Sequence, residues 1–308
     1  MITLSSATTT ISSIFRNRYF CSLKISTVSF SCPYHFNNMS SSSSSSSSLP
    51  TDGDKIIVKP IAAIAQLKST SNKVQNLIDV AICARLAKSK GASMLFLPEC
   101  FGFIGESSIQ TLEEAEDPIH LTTAKTKMGT KMENDEALTR ILKSTIHVTD
   151  EDYNSDSRSQ PPLVVRSIME GLRTISKESG LWLSGGGMHV LAEPPNSDDA
   201  SNKEQRVYNT HVIIDPDGVL RCQYRKIHLF DVSIPGKVQL QESKTTAPGT
   251  ELVMCDSPIG RLGVTTCYDL RFPEMYIELV KMGAQILLVP SAFTVPTGAA
   301  HWHTLLRG

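Results

Sequence analysis

The sequence predicts an α/β fold. Short runs rich in β-branched and small apolar residues alternate with stretches of helical period, and those stretches are bounded by capping residues, Gly or Pro. In addition, 40% of the 308 residues are apolar, enough to bury a large core. The longest apolar runs, such as Gln285 to Pro290, are strand-sized, far from the roughly 20 residues that cross a bilayer, so no transmembrane helix is expected.

In chain order, Ile56 to Leu67 reads as a strand. Ser71 or Asn72 can cap a helix that places Val74, Leu77, Ile78, Ala81, Ile82 and Leu86 on one face and ends at Gly91. Met94 to Leu97 is a short buried strand closed by Pro98 and Glu99. A second helix is predicted from Ser167 to Glu178, stopped by Gly180, then a strand from Leu181 to Ser184 running into Gly185–Gly187. Tyr208 to Ile214 and Val219 to Lys226 alternate with period 2 around a Pro216-Asp217-Gly218 turn and predict a hairpin. Arg261 to Thr266 reads as a strand, Pro273 to Met282 as a helix with Pro at its first position, and Gln285 to Val289 as a last strand. The stretch 118–165 breaks this alternation: it is polar and mixed in charge, and is expected to be a surface insertion of low order.

Thirty basic residues against 31 acidic ones, net charge −1, give no electrostatic footprint for nucleic acid or an anionic membrane surface. Seven Cys at irregular spacing, with no CxxC pair, argue against a secreted disulfide framework or a zinc knuckle, so reduced thiols are expected. Residues 1–51 contain no Asp or Glu, are rich in Ser and Thr, and carry Arg16, Arg18 and Lys24, the composition of an organelle transit peptide. Met39 precedes nine serines, Ser40 to Ser48, and initiation there would remove the basic part, so chloroplast and cytoplasm are both expected destinations. A Ser-rich tail with no address is the alternative. On this reading residues 1–51 lie outside the fold and residues 52–308 form the single domain.

Cys267 falls at the turn between a predicted buried strand and the helix beginning at Pro273. Such an elbow exposes a side chain beside backbone N–H groups able to receive an oxyanion, although a free Cys is more often an inert buried residue. Glu99 is delivered from the end of a buried strand, where burial is expected to raise its pKa towards general-base duty; taken alone it could equally be a solvated strand terminus. Lys226 ends the Tyr224-Arg225-Lys226 strand and, singly, reads as a solvated charge. The case for chemistry rests on the three together.

Phe96-Leu97-Pro98-Glu99, Tyr224-Arg225-Lys226-Ile227-His228-Leu229 and Thr266-Cys267-Tyr268-Asp269-Leu270-Arg271-Phe272-Pro273-Glu274 resemble, in the family's order, the three catalytic blocks of the nitrilase superfamily of carbon–nitrogen hydrolases. The resemblance runs from about Ile56 to the last residue, apart from 118–165. Asp231-Val232-Ser233-Ile234-Pro235-Gly236, Gln241-Glu242-Ser243, Pro290-Ser291-Ala292-Phe293 and Thr297-Gly298-Ala299-Ala300-His301-Trp302 are similar to the omega-amidase branch, and especially to deaminated glutathione amidases of plant plastids and cytosol. The resemblance implies a four-layer α-β-β-α sandwich and hydrolysis of a small carboxylated amide, deaminated glutathione or a related omega-amide, through a cysteine thioester. It implies no metal or other cofactor, and a homo-oligomer in the full-length form. It further implies that Glu99 is the general base and Cys267 the nucleophile. Lys226 and the Tyr268 N–H would stabilise the oxyanion, Glu242 would position Lys226 and the leaving amine, and Arg271 and Thr297 would grip the substrate carboxylate.

Two departures from the family pattern stand out. The family continues through an Arg-rich helix and further strands after Ala300-His301-Trp302, whereas this chain stops at Gly308, so the C-terminal part of the sandwich is expected to be missing. The stretch 118–165 resembles retained non-coding sequence. A truncated, catalytically dead subunit that binds full-length partners is therefore the rival reading. A papain-like hydrolase lacks its Cys-Gly-x-Cys context here, and a metal site at His301-Trp302-His303 offers only two ligands.

Overall fold

The computed structural model describes residues 9–11, 21–27, 60–122, 133–147, 167–193, 205–234 and 238–307. The elements in chain order are β1 (Thr9–Ile11), β2 (Cys21–Thr27), β3 (Ile61–Leu67), α1 (Lys73–Ser89), β4 (Met94–Phe96), α2 (Ser108–Glu113), α3 (Ile119–Thr122), α4 (Glu133–His147), α5 (Ile168–Ser179) and β5 (Trp182–Leu191). They continue with β6 (Val207–Ile214), β7 (Leu220–Arg225), β8 (Asp231–Ile234), β9 (Val238–Gln241), β10 (Val253–Ser257), β11 (Gly260–Val264), α6 (Pro273–Lys281), β12 (Ile286–Leu288) and α7 (Val295–Arg307).

Strands β1 to β7 form one sheet in sequence order; β3, β4 and β5 are mutually parallel, and the β5–β6 and β6–β7 pairs are antiparallel. A second sheet has the order β10-β11-β12, and β8 pairs with β9 in a separate ribbon. Two cores result. On one face of the large sheet, Leu77, Val80 and Ala84 of α1, Leu142 of α4 and Leu172 and Ile175 of α5 pack on Ala63, Leu95, Leu183 and Val212. Between the sheets lie Ala62, Met94, Ile213 and Tyr224 from one side and Cys255, Leu262, Val264 and Leu288 from the other. Helix α6 covers the outer face of the small sheet through Leu279, which comes so close to Gly263 that a Cβ there would meet it at 3.4 Å. The layers are helix, sheet, sheet, helix, the α-β-β-α sandwich expected.

Helix boundaries follow the local chemistry. Asn72 accepts from the Gln75 N–H at the start of α1, and Ser167 accepts from Glu170 N–H at the start of α5. Gly180 closes α5 in the left-handed conformation, and Pro273 opens α6. The hairpin is β6–β7 with Gly218 at φ 73° in its turn.

Several expectations are corrected. Within 118–165, expected to be of low order, the structure forms α3 and α4. Leu138, Leu142 and Ile146 recur every four residues, so one face of α4 closes over α1 and α5 while Glu136, Arg140, Lys143 and Ser144 face outward. Within 1–51, β1 and β2 join the large sheet, with Cys21–Thr27 paired to Leu67–Ile61. Met39 and the serine run lie outside the described residues, as do residues 123–132 and 148–166. Strand β5 does not stop at Ser184; it runs through the glycines with a bulge between Gly185 and Met188. Cys83 is disulfide-bonded, whereas Cys100, Cys222, Cys255 and Cys267 are free, so the thiols are not all reduced. His301 and His303 sit two apart on helix α7, hence on different faces, and no cluster of potential metal ligands occurs among the described residues. Among those residues no helix is long and apolar enough to cross a membrane.

Candidate active site

Three strands deliver charged or nucleophilic groups to one place. Beyond β4, Leu97 N–H donates to Ser184 O and Cys100 N–H to Gly187 O, so the Pro98-Glu99 corner lies across the glycine segment of β5. Only glycine allows this: a Cβ on Gly186 would stand 2.2 Å from Leu97 O, and Gly187 has φ 146° with a Cβ position 2.6 Å from Asn209 Oδ1. The corner turns Glu99 inward, where it is 6% exposed. Its Oε1 accepts from Lys226 Nζ at 3.1 Å and Asn209 Nδ2 at 2.9 Å, and its Oε2 accepts from Ala292 N–H at 2.9 Å.

Lys226 follows directly on β7 and is 2% exposed. Besides Glu99, its ammonium donates to Glu242 Oε1 at 3.1 Å and Oε2 at 3.0 Å. Glu242 is itself fixed by Phe230 N–H at 2.7 Å. A buried ammonium between two carboxylates is the arrangement that retains charge in a low dielectric. Burial works against the Lys226 charge, but Glu99 and Glu242 outweigh it and hold the proton more firmly than in water.

Cys267 opens a short 3-10 turn, Cys267–Arg271, after β11. Its φ of 52° is the left-handed region that a non-glycine residue rarely occupies, and its N–H donates to Pro290 O at 2.9 Å. The thiol lies beside the Glu99 carboxylate, near enough for each to shift the other's titration. Burial, then the adjacent Glu99 charge, push its pKa up to about 12, so the resting sulfur is a thiol. Glu99 departs from the sequence expectation. Burial does push its pKa up, but the Lys226 charge, the neighbouring Cys267 thiol and the hydrogen bonds from Lys226 and Ala292 together bring it below its ordinary value. It is an ionised acceptor.

The turn is held by Asp269, whose side chain is wholly buried. Its Oδ2 accepts from Tyr224 OH at 2.7 Å and Thr266 N–H at 2.9 Å; its Oδ1 accepts from His228 N–H at 3.0 Å and lies 2.8 Å from His228 Nδ1. The His228 ring stacks on Phe272 at 3.6 Å. Asp269 thus joins the nucleophile's turn to the segment that carries Lys226.

The structure therefore brings together Glu99, Lys226, Glu242 and Cys267. Tyr268 and Arg271 share the Cys267 turn, and the exposed Arg271 guanidinium stands 5.8 Å from the Tyr268 ring centroid with no ion-pair partner among the described residues. Thr297 lies at the start of α7, a helix in contact with the Cys267 turn; its hydroxyl donates to Thr294 O at 3.0 Å and is bonded to Thr294 Oγ1 at 2.7 Å. Sequence reasoning missed Asn209 and Asp269. Asn209, a lone polar amide in the apolar strand Val207–Ile214, gave a visible signal, as did the carboxylate three residues after Thr266 at a helix start.

Comparison with known proteins agrees with this geometry. The carbon-nitrogen hydrolase family profile matches residues 61–308. The chain is 37% identical over 257 residues to a deaminated glutathione amidase of Dictyostelium discoideum, covering 82% of this chain and 71% of that protein. It is 34% identical to the Homo sapiens deaminated glutathione amidase, covering 80% of this chain and 60% of that one. Among solved structures, the Caenorhabditis elegans NitFhit protein superposes with a TM-score of 0.56 at 36% identity, over 80% of this chain and 47% of that chain. The chain thus spans well under the full length of these relatives. With the matched profile, the sandwich and the buried carboxylate–ammonium–thiol cluster in hand, the chain belongs to the carbon-nitrogen hydrolase family of the nitrilase superfamily.

Proposed function

We propose that this chain hydrolyses a small carboxylate-bearing amide, deaminated glutathione or a related omega-amide, through a cysteine thioester, as metabolite repair. The observation that carries the proposal is the Cys267 thiol set beside an ionised Glu99 that is hydrogen-bonded to Lys226 in the same buried pocket. In the first half-reaction Cys267 Sγ attacks the amide carbonyl as its proton passes to Glu99. The charge that develops on oxygen is met by Lys226 and the Tyr268 N–H. Glu99 then returns the proton to the departing nitrogen, the C–N bond breaks, and the thioester remains. In the second half-reaction Glu99 takes a proton from water, water oxygen attacks the thioester, and Cys267 leaves with the proton.

Arg271, charged and without a carboxylate partner among the described residues, supports an anionic substrate, since guanidinium binds carboxylate bidentately. The relatives named deaminated glutathione amidase support the same choice. The decisive experiment measures amine or ammonia release by the purified chain from deaminated glutathione, acidic omega-amides and neutral amides. Faster turnover of the acidic amides than of the neutral ones, abolished on both by Cys267→Ala, is expected; turnover of neutral amides alone overturns the substrate assignment.

We further propose delivery to chloroplast and cytoplasm, supported by the acid-free, Ser- and Thr-rich composition of residues 1–51 and by Met39 as a second start. A fluorescent fusion of those residues, with and without Met1, tests it: plastid signal only with Met1 is expected. Self-association, implied by the family resemblance, is tested by light scattering on the full chain, where a monomer at every concentration overturns it.

A further inference from the structure

Cys222 on β7 and Cys255 on β10 face each other across the inter-sheet core, within the cluster that holds Tyr224, Leu262 and Val264. Strands β7 and β10 are in contact, both cysteines pack into the same inter-sheet cluster, and both remain free thiols. Neither takes part in the chemistry of Cys267. Cys255 is buried, while Cys222 is only half-buried, so a small oxidant can reach the pair from one side. We propose that Cys222 and Cys255 form a dithiol modification site, which a hydroperoxide converts to a disulfide joining the two sheets.

The chemistry is assigned by the surroundings. Of the two, Cys255 has the Arg221 guanidinium acting on it, a positive charge that favours its thiolate. In the thiol form Cys255 donates to Asp256 O at 3.5 Å. The Cys255 sulfur attacks the peroxide: an S–O bond forms, the O–O bond breaks, and water or an alcohol departs. The sulfenic acid left on Cys255 is then attacked by the Cys222 sulfur. The S–S bond forms, the S–O bond breaks, and the oxygen leaves as water with the Cys222 proton. Two thiols lose two electrons, and the peroxide gains them. The bond ties the strand that ends one residue before Lys226 to the sheet that leads into Cys267.

The test treats the reduced full chain with hydrogen peroxide, with glutathione as an internal control, blocks remaining thiols with N-ethylmaleimide and digests with trypsin without reductant. Cleavage at Arg221, Arg225, Lys244 and Arg261 places the two cysteines in separate peptides. Recovery of these peptides as one species, lighter than their sum by two hydrogens and separated again by dithiothreitol, is the expected result. In Cys222→Ser, dimedone should label Cys255, because the second thiol is gone. Maleimide on both Cys222 and Cys255 at a peroxide dose that has converted the glutathione control, or Cys255 joined to any other cysteine, overturns the proposal from the wild-type chain alone.

Discussion

Glu99 would keep its proton to higher pH, and Lys226 would lose its own, if burial were the only influence on them; set side by side with a thiol, they stabilise one another's charges instead. This has consequences for pH. Because the Glu99 pKa is held below its ordinary 4.5, its contribution to stability is present above that value and is lost as pH falls through the lowered one. The base is in its working form throughout the neutral range, so the acid limb of a kcat/KM profile is expected below pH 4.5, and a limb near 6 or 7 would mean that another group is titrating. Glu99→Gln removes the acceptor at nearly constant shape and is expected to lower kcat by about 10²–10⁴-fold. Lys226→Met leaves two carboxylates facing each other without their cation; loss of about 10²–10³-fold in kcat is expected, with a higher Glu99 pKa visible as an acid limb displaced upward. Arg271→Ala should reduce kcat/KM for acidic amides by about tenfold or more while sparing neutral ones. Equal loss on both classes would make Arg271 structural.

Among the elements, the Cys267 turn depends on a carboxylate that touches no substrate position. Asp269→Ala strips the partners from Tyr224 OH, Thr266 N–H and His228 N–H inside a wholly buried pocket, and should cost about 3–5 kcal/mol in urea unfolding. Leu142→Ala on α4 should cost about 2–5 kcal/mol, because the side chain is fully buried against α1 and α5; a change near zero would detach α4 from the core. Helix α4 also shows why part of the fold was illegible. Its apolar residues Leu138, Leu142 and Ile146 are spaced by four, but they are diluted by charged neighbours, and the segment's polarity hid the stripe. Helices α1 and α5 were readable because Asn72, Ser167 and Gly180 mark their ends chemically. The strands β8 and β9 are four residues each, too short for a period to register. At the site, Cys267, Glu99 and Lys226 each sit at the end of a recognisable strand, so their positions were legible. The direction of the Glu99 shift was not, since it depends on a lysine 127 residues away in sequence. Thr297 lies in a motif similar to the family's, yet its hydroxyl is engaged by Thr294, a local competition that spacing cannot show.

At the scale of the whole molecule, the large sheet has an outer boundary that decides how the two possible starts of the chain behave. Strand β3 is paired with β4 on one side and with β2 along all seven residues, Ile61 to Leu67, on the other. An edge strand left open presents a row of N–H and C=O groups that invites pairing with another chain, and β3 is apolar at every position but Gln66. A chain begun at Met39 has no β1 or β2, and the β3 edge then faces solvent. The hydrogen bonds lost are each worth about 0.5–1.5 kcal/mol net, so their sum is a large part of a domain's usual stability. The Met39 form is therefore expected to melt lower than the chain begun at Met1 and to aggregate sooner at equal concentration. Its outward-facing β3 amides should exchange with deuterium much faster, whereas the β5–β6 ladder in the middle of the sheet stays protected. Equal melting temperature and equal β3 protection in the two forms would show that β2 adds nothing to the sheet, and that the edge is satisfied by other means.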